Sequence, residues 1–125
     1  MTQQLPIAQT AHRVEGRDGE ITYFTGVRLG YGTSESADKD RWFEVDIYRT
    51  ADGEYVVHTR GCSRLPGEET KRRVVRTTSA FEIIELLTVH HGGKTYIPRA
   101  SARAIAQAAQ WDVSVRDAYV NRAVI

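Results

Sequence analysis

The stretch from Trp42 to Cys62, WFEVDIYRT-ADG-EYVVHTRGC, constrains the fold of this chain more than any other. Two runs rich in β-branched and aromatic residues flank Asp52-Gly53, a strong short-range hairpin signal. Two registers compete. A two-residue Asp-Gly loop sets Ile47 opposite His58 and Val45 opposite Arg60. A three-residue loop, Ala51-Asp52-Gly53 with Gly53 left-handed as a G1 bulge, pairs Arg49 with Tyr55, Ile47 with Val57 and Val45 with Thr59. The second register gathers Phe43, Val45, Ile47, Tyr55 and Val57 on one face. It places Trp42, Glu44, Asp46, Tyr48, Val56, His58 and Arg60 on the other. Side chains alternate with period two, so a one-residue slip scrambles that separation, and the apolar face selects the longer loop. Glu44 then lies opposite Arg60 and Asp46 opposite His58. Such pairs contribute roughly 0.2–1 kcal/mol each, enough to tune a register but not to set it.

Upstream, Val14–Gly16, the turn Arg17-Asp18-Gly19 and the run Glu20–Tyr31 suggest another hairpin. Ile21, Tyr23, Thr25, Val27, Leu29 and Tyr31 alternate onto one face, while Gly26 and Gly30 signal a bulge or bend. Asp-Gly-Glu recurs at Asp18 and Asp52, each before an aromatic-containing strand, a match too short to define a repeat. Residues 1–11 read as a loose leader and residues 32–40, GTSESADKD, as a mobile surface loop. Downstream, Pro66-Gly67 marks a turn, and Lys71–Thr78, KRRVVRTT, is a basic strand.

Residues 79–125 read as the helical C-terminal part. Ser79 with Glu82 forms a capping-box pattern, and the amphipathic helix it opens carries Phe81, Ile83, Ile84, Leu86 and Leu87. His90-His91-Gly92-Gly93 reads as its C-terminal end. A second helix, roughly Arg99 to Trp111, is built largely from alanine and either packs very closely on something or stays thin and partly exposed. Asp112 or Ser114 caps a last short helix, from Val115 to about Arg122. Strands first and helices last indicate a single α+β domain spanning 1–125. Its expected form is an antiparallel sheet of four or five strands, two hairpins plus one strand, packed by the Ser79–His90 helix with the Ala-rich segment following.

A chain of 125 residues supports one core, and its 41% hydrophobic and 26% charged composition is that of a globular protein. It contains no apolar run long enough for a membrane span, and its first residues lack the apolar stretch of a signal peptide. The single cysteine, Cys62, excludes an internal disulfide and suits a reducing cytoplasm. A net charge of +1 hides an asymmetry: residues 1–54 carry six Lys/Arg against ten Asp/Glu, residues 55–125 eleven against six.

Motifs for chemistry are sparse. There is no CxxC, HExxH or GxSxG. His58 and Cys62 share a strand face and would need His90 or His91 to complete a metal site. Glu44 and Asp46 share a face as acid–base carboxylates would, yet Arg60 and His58 oppose them, an arrangement that suits salt bridges better. Gly92-Gly93 ends a helix rather than opening one, so no phosphate cradle is read. The chain is therefore expected to be non-catalytic, with no cofactor and no metal, and to bind a protein partner through Trp42, Tyr48, His58 and Arg60, residue types that anchor interfaces. Edge strands offer a route to a homodimer. The alternative is a nucleic-acid surface formed by Arg64, Lys71, Arg72, Arg73 and Arg76, extended by a ridge of Arg99 and Arg103 on the second helix. A small enzyme or ligand-binding domain ranks last. The size and the lack of catalytic motifs suit many small prokaryotic proteins, including those that phages and plasmids carry to inhibit or modulate host complexes, a likeness of class only.

Overall fold

The computed structural model describes residues 9–122. Five antiparallel strands form one sheet in chain order: β1 (Thr10–Glu15), β2 (Ile21–Thr33), β3 (Arg41–Thr50), β4 (Tyr55–Ser63) and β5 (Lys71–Thr77). Three helices follow: α1 (Ala80–Leu87), α2 (Arg99–Trp111) and α3 (Val113–Asn121). Between α1 and α2 stands a separate two-stranded hairpin, β6 (Val89–His91) and β7 (Lys94–Tyr96). This is the expected α+β arrangement.

The central hairpin has the register that the apolar face selects. Glu44 pairs with Arg60, Val45 with Thr59, Asp46 with His58, Ile47 with Val57 and Arg49 with Tyr55. Gly53 is left-handed at φ 86°, and the Thr50 and Glu54 backbones close the three-residue loop at 2.8 Å. Val45 and Ile47 have no exposed surface. Burying a side chain of this size stabilises the fold by about 1.5–3 kcal/mol.

The sheet curls, and this decides what each face becomes. On the inner face Val14, Phe24, Tyr48, Val56 and Val74, one residue from each of the five strands, meet in a small core. His12 stacks on Phe24 with ring centroids 5.2 Å apart. The outer face carries Val45, Ile47, Tyr55 and Val57, joined by Leu29, against Ile83, Ile84, Leu87, Ala104, Ile105, Ala108 and Val115 of the helices. The helix α1 is capped by Ser79, whose Oγ accepts the Glu82 N–H at 3.3 Å; the Glu82 carboxylate takes the Thr77 hydroxyl instead of reaching back to Ser79.

Alanine finds its partner in glycine. Gly30 and Gly32 of β2 face α2, and a Cβ on either would stand 2.0 Å from the Ala104 carbonyl oxygen or 1.8 Å from that of Ala100. The i, i+4 stripe Ala100, Ala104, Ala108 rests on this bare strip of strand, all three buried. Side chains of α2 also satisfy the β2 backbone beyond the end of β1. Gln107 Oε1 accepts the Tyr31 N–H at 3.0 Å, and Arg103 donates to the Thr33 carbonyl at 3.2 Å. The α2–α3 junction is fixed by Asp112. It caps α3 at the Val115 N–H (3.1 Å), accepts the Tyr55 hydroxyl (2.9 Å) and pairs with Arg49 (2.5 Å).

Four expectations need correction. Thr10 and Ala11 belong to β1 rather than to a leader, while residues 1–8 of that reading lie outside the described residues. Gly32 and Thr33 extend β2 instead of opening the loop. A register shift between Arg28 and Gly30 turns Tyr31 onto the inner face, opposite Asp46, away from Val27. Finally, His90 and His91 do not end a helix. Gly92 and Gly93, at φ 59° and 77°, make the two-residue turn of the β6–β7 hairpin, because two successive left-handed residues match the twist of a hairpin better than a helix cap. The last three residues of the 79–125 segment lie outside the described residues.

Candidate functional site

The inner face divides into two halves. The lower half is closed by β1, whose end folds across the sheet: His58 Nε2 donates to the Glu15 carbonyl at 2.8 Å, and Gly16 lies against Val74. The upper half is open and polar. Alternate residues of β3 and β4 place Trp42, Glu44 and Asp46 beside Cys62, Arg60 and His58.

Arg60 organises this half. Its Nε donates to Glu44 Oε1 at 3.0 Å, and its Nη1 donates to Asp46 Oδ2 at 2.6 Å. Nη1 also lies 3.0 Å from His58 Nδ1. The Glu15 carbonyl can only accept, so His58 carries its proton on Nε2 and offers Nδ1 as the acceptor. The ring is thereby held neutral. Its pKa is pushed below the ordinary value by burial first and by the Arg60 charge second, against the opposing pull of the Glu15 carbonyl and Asp46. Asp46, 2% exposed, also receives Arg28 at 3.2 Å. Burial alone would raise the Glu44 pKa, but hydrogen bonds from the Trp42 indole (2.8 Å) and Arg60 outweigh it and hold the carboxyl below the usual range. Both carboxylates are thus saturated by donors. Cys62, on the rim, has its thiol pushed up by burial and by Glu44.

Two arginine–aromatic stacks flank this network. Arg28 lies 5.2 Å from the centroid of Tyr31, and Arg64 lies 4.6 Å from that of Trp42. Arg64 is held there by Glu35 at 3.1 Å and by the Lys39 carbonyl, which ties the 34–40 loop over the Trp42 edge. Each guanidinium covers a ring face, while the Trp42 indole N–H turns into the network to Glu44.

Of the four residues expected to form a protein-binding surface, the curl separates two from solvent. Tyr48 is 8% exposed and His58 6% exposed, both within or beside the inner core. Trp42 and Arg60 stand at the open half. Tyr31, which the bulge turns inward, joins them, and so does Arg28; neither was read as a site residue. The register shift that delivers Tyr31 was signalled by Gly26 and Gly30, but glycine has no face preference to show its direction.

The seven residues of the nucleic-acid alternative do not form one patch. Arg72 and Arg76 point to the inner face, where Glu15 (3.9 Å) and Glu54 (3.3 Å) pair with them. Lys71 and Arg73 point to the outer face. Arg64 is occupied at Trp42. Arg99 and Arg103 belong to α2, which packs on β2 and β3 rather than on β5. His90 and His91 lie in the second sheet, apart from His58 and Cys62. Among the described residues no three His, Cys, Asp or Glu side chains are grouped to hold a metal ion, and no helix is long and apolar enough to cross a membrane.

Comparison with protein-family models, with curated proteins and with solved structures finds no match to this chain.

Proposed function

We propose that this protein works by binding another protein, as a small regulatory or inhibitory module, through the open half of its inner sheet face. One observation carries the reading: the two arginine–aromatic stacks, Arg28 on Tyr31 and Arg64 on Trp42, flank the Arg60 network. Tyr, Trp and Arg dominate interface hot spots because each combines a large apolar contact area with a polar tip. Here packing already restricts them, which lowers the entropy cost of engaging a partner. The matched charges of Arg60 with Glu44 and Asp46 suit a surface of mixed sign. The saturation of both carboxylates by donors favours scaffolding over acid–base chemistry.

Replacing both Trp42 and Tyr31 with Ala tests the reading. Capture of a protein partner is expected to fall while the cooperative melt persists; undiminished capture would overturn it. Tyr48, though first read as a surface anchor, is unsuitable for this test because it belongs to the inner core.

A second reading, nucleic-acid binding, draws its support from Lys71 and Arg73. Neither lies within salt-bridge distance of a carboxylate among the described residues. It requires an affinity that falls steeply with salt and is lost on charge reversal of Arg73.

A further inference from the structure

We propose that the free edge of β5 takes an acidic, extended peptide segment of a partner protein as a sixth strand. This site is separate from the Trp42 face. Among the described residues β5 is the last strand of the sheet and hydrogen-bonds as a strand to β4 alone, while the end of β1 lies against its middle at Val74. Beyond its first half lies an open cleft of about 1190 Å³, bounded on the far side by the Arg17–Glu20 turn. An unpaired edge of this kind offers a row of backbone donors and acceptors to an incoming strand.

The protein treats its edges unequally. Where β2 runs past β1, side chains of α2 take its backbone groups, Gln107 at the Tyr31 N–H and Arg103 at the Thr33 carbonyl, so that edge is blocked. No equivalent side-chain bond reaches the backbone of Lys71, Arg72 or Arg73 among the described residues.

Charge selects the occupant. A second copy of β5 would bring Lys71, Arg72, Arg73 and Arg76 against the same four cations, which disfavours self-pairing. Register then divides the cations by face. Arg72 and Arg76 point inward and are paired with Glu15 and Glu54. Lys71 and Arg73 point outward, and among the described residues neither lies within salt-bridge distance of a carboxylate, although the Lys71 charge acts on Glu68. An added strand with acidic residues at alternate positions would set them beside Lys71 and Arg73, in a cleft that Glu15, Asp18, Glu20 and Glu69 also line. Polar or apolar residues would take the intervening positions.

The probe is a fluorescein-labelled octapeptide of alternating Glu and Val, followed by fluorescence anisotropy. Comparators are the same composition with one central Val replaced by Pro, an alternating Lys–Val octapeptide, and an oligothymidylate of equal charge. The alternating Glu–Val peptide is expected to bind, and the Pro version to lose about tenfold or more in affinity because it cannot complete the ladder. The paired Lys71→Glu and Arg73→Glu variant is expected to lose at least about as much while melting like the parent, both positions being exposed. Equal binding of the Pro peptide, tighter binding of the oligothymidylate, retention by the charge-reversed variant, or no binding of the Glu–Val peptide at millimolar concentration would each overturn the proposal.

Discussion

Gly32 of β2 lies so close beneath Ala100 of α2 that a methyl group on it would stand 1.8 Å from the Ala100 carbonyl oxygen. The obstacle is backbone, which cannot rotate away as a side chain tip can. Gly30 meets Ala104 in the same way at 2.0 Å. Gly32→Ala and Gly30→Ala are therefore each expected to destabilise the fold by about 3 kcal/mol or more, since overpacking against a rigid neighbour reaches the upper end of its usual cost. Urea unfolding measures this. A loss below about 1 kcal/mol at both positions would show that α2 does not rest on β2 as described.

Asp46 and Arg60 form the most buried ion pair of the inner face. Removing one partner strands the other. Asp46→Ala leaves Arg60 and Arg28 without their shared carboxylate and is expected to cost about 3–5 kcal/mol. The double variant Asp46→Leu, Arg60→Met is expected to cost clearly less than the sum of its two single changes. Additive losses in that double-mutant cycle would mean that the pair is not coupled.

His58 gives the protein a pH dependence of defined sign. Its folded pKa lies below the unfolded value of 6.5, so the unfolded chain binds the proton more readily. The stability this contributes is complete above about pH 6.5 and is lost as pH falls toward the folded pKa, with a limiting slope of about 1.4 kcal/mol per pH unit for one proton. His58→Gln is expected to flatten this part of the curve. Glu44, also depressed, acts in the same direction but below the ordinary carboxylate value of 4.5, so the two windows separate. An unchanged slope between pH 6.5 and 5 in the His58→Gln protein would contradict the assignment.

Asp112 joins the helices to the sheet, and its two functions can be separated. Asp112→Asn keeps an N-cap acceptor for α3 but loses the charge facing Arg49. Asp112→Ala also loses the cap, worth about 1 kcal/mol, and leaves the buried Tyr55 hydroxyl without its acceptor, a further 1–3 kcal/mol or so. The Ala variant should therefore be the less stable by about 2 kcal/mol or more in thermal melts. In the parent, burial and the Asp112 carboxylate push the Tyr55 phenol up to about 12, so its absorbance should resist alkaline ionisation. Ionisation at the ordinary tyrosine value in the folded protein would contradict the contact.

The elements that were legible in the sequence are those whose pattern is local. The β3–β4 register followed from alternation of Val45, Ile47 and Val57 against Asp46, His58 and Arg60. The helix α2 coincides with the Arg99–Trp111 expectation. The partner of α2 escaped, because Gly32 reads as the start of a polar loop; only its place in β2 sets it two residues from Gly30 on one face, matching alanines four apart on a helix. Neither half of that match identifies the other alone. The β6–β7 hairpin escaped because strands of three residues are too short to show a period, leaving Gly92-Gly93 to be read as a helix end. At the site, Tyr48 and His58 read as surface residues because their covering comes from β1, more than 30 residues away in the chain, through the Glu15 carbonyl and Val14. Curl of a sheet is a long-range property, and alternation along a strand does not show which polar face it will close.

A protein held at the Trp42 and Tyr31 half of the inner face is the partner proposed for this molecule. The most direct test is capture from a lysate of the source cell, divided into nuclease-treated and untreated halves, with the Trp42→Ala, Tyr31→Ala protein run beside the parent. The expected result is a discrete protein retained by the parent after nuclease treatment and absent from the variant at equal folded concentration. Capture that vanishes with nuclease, or that the variant retains in full, would contradict the account.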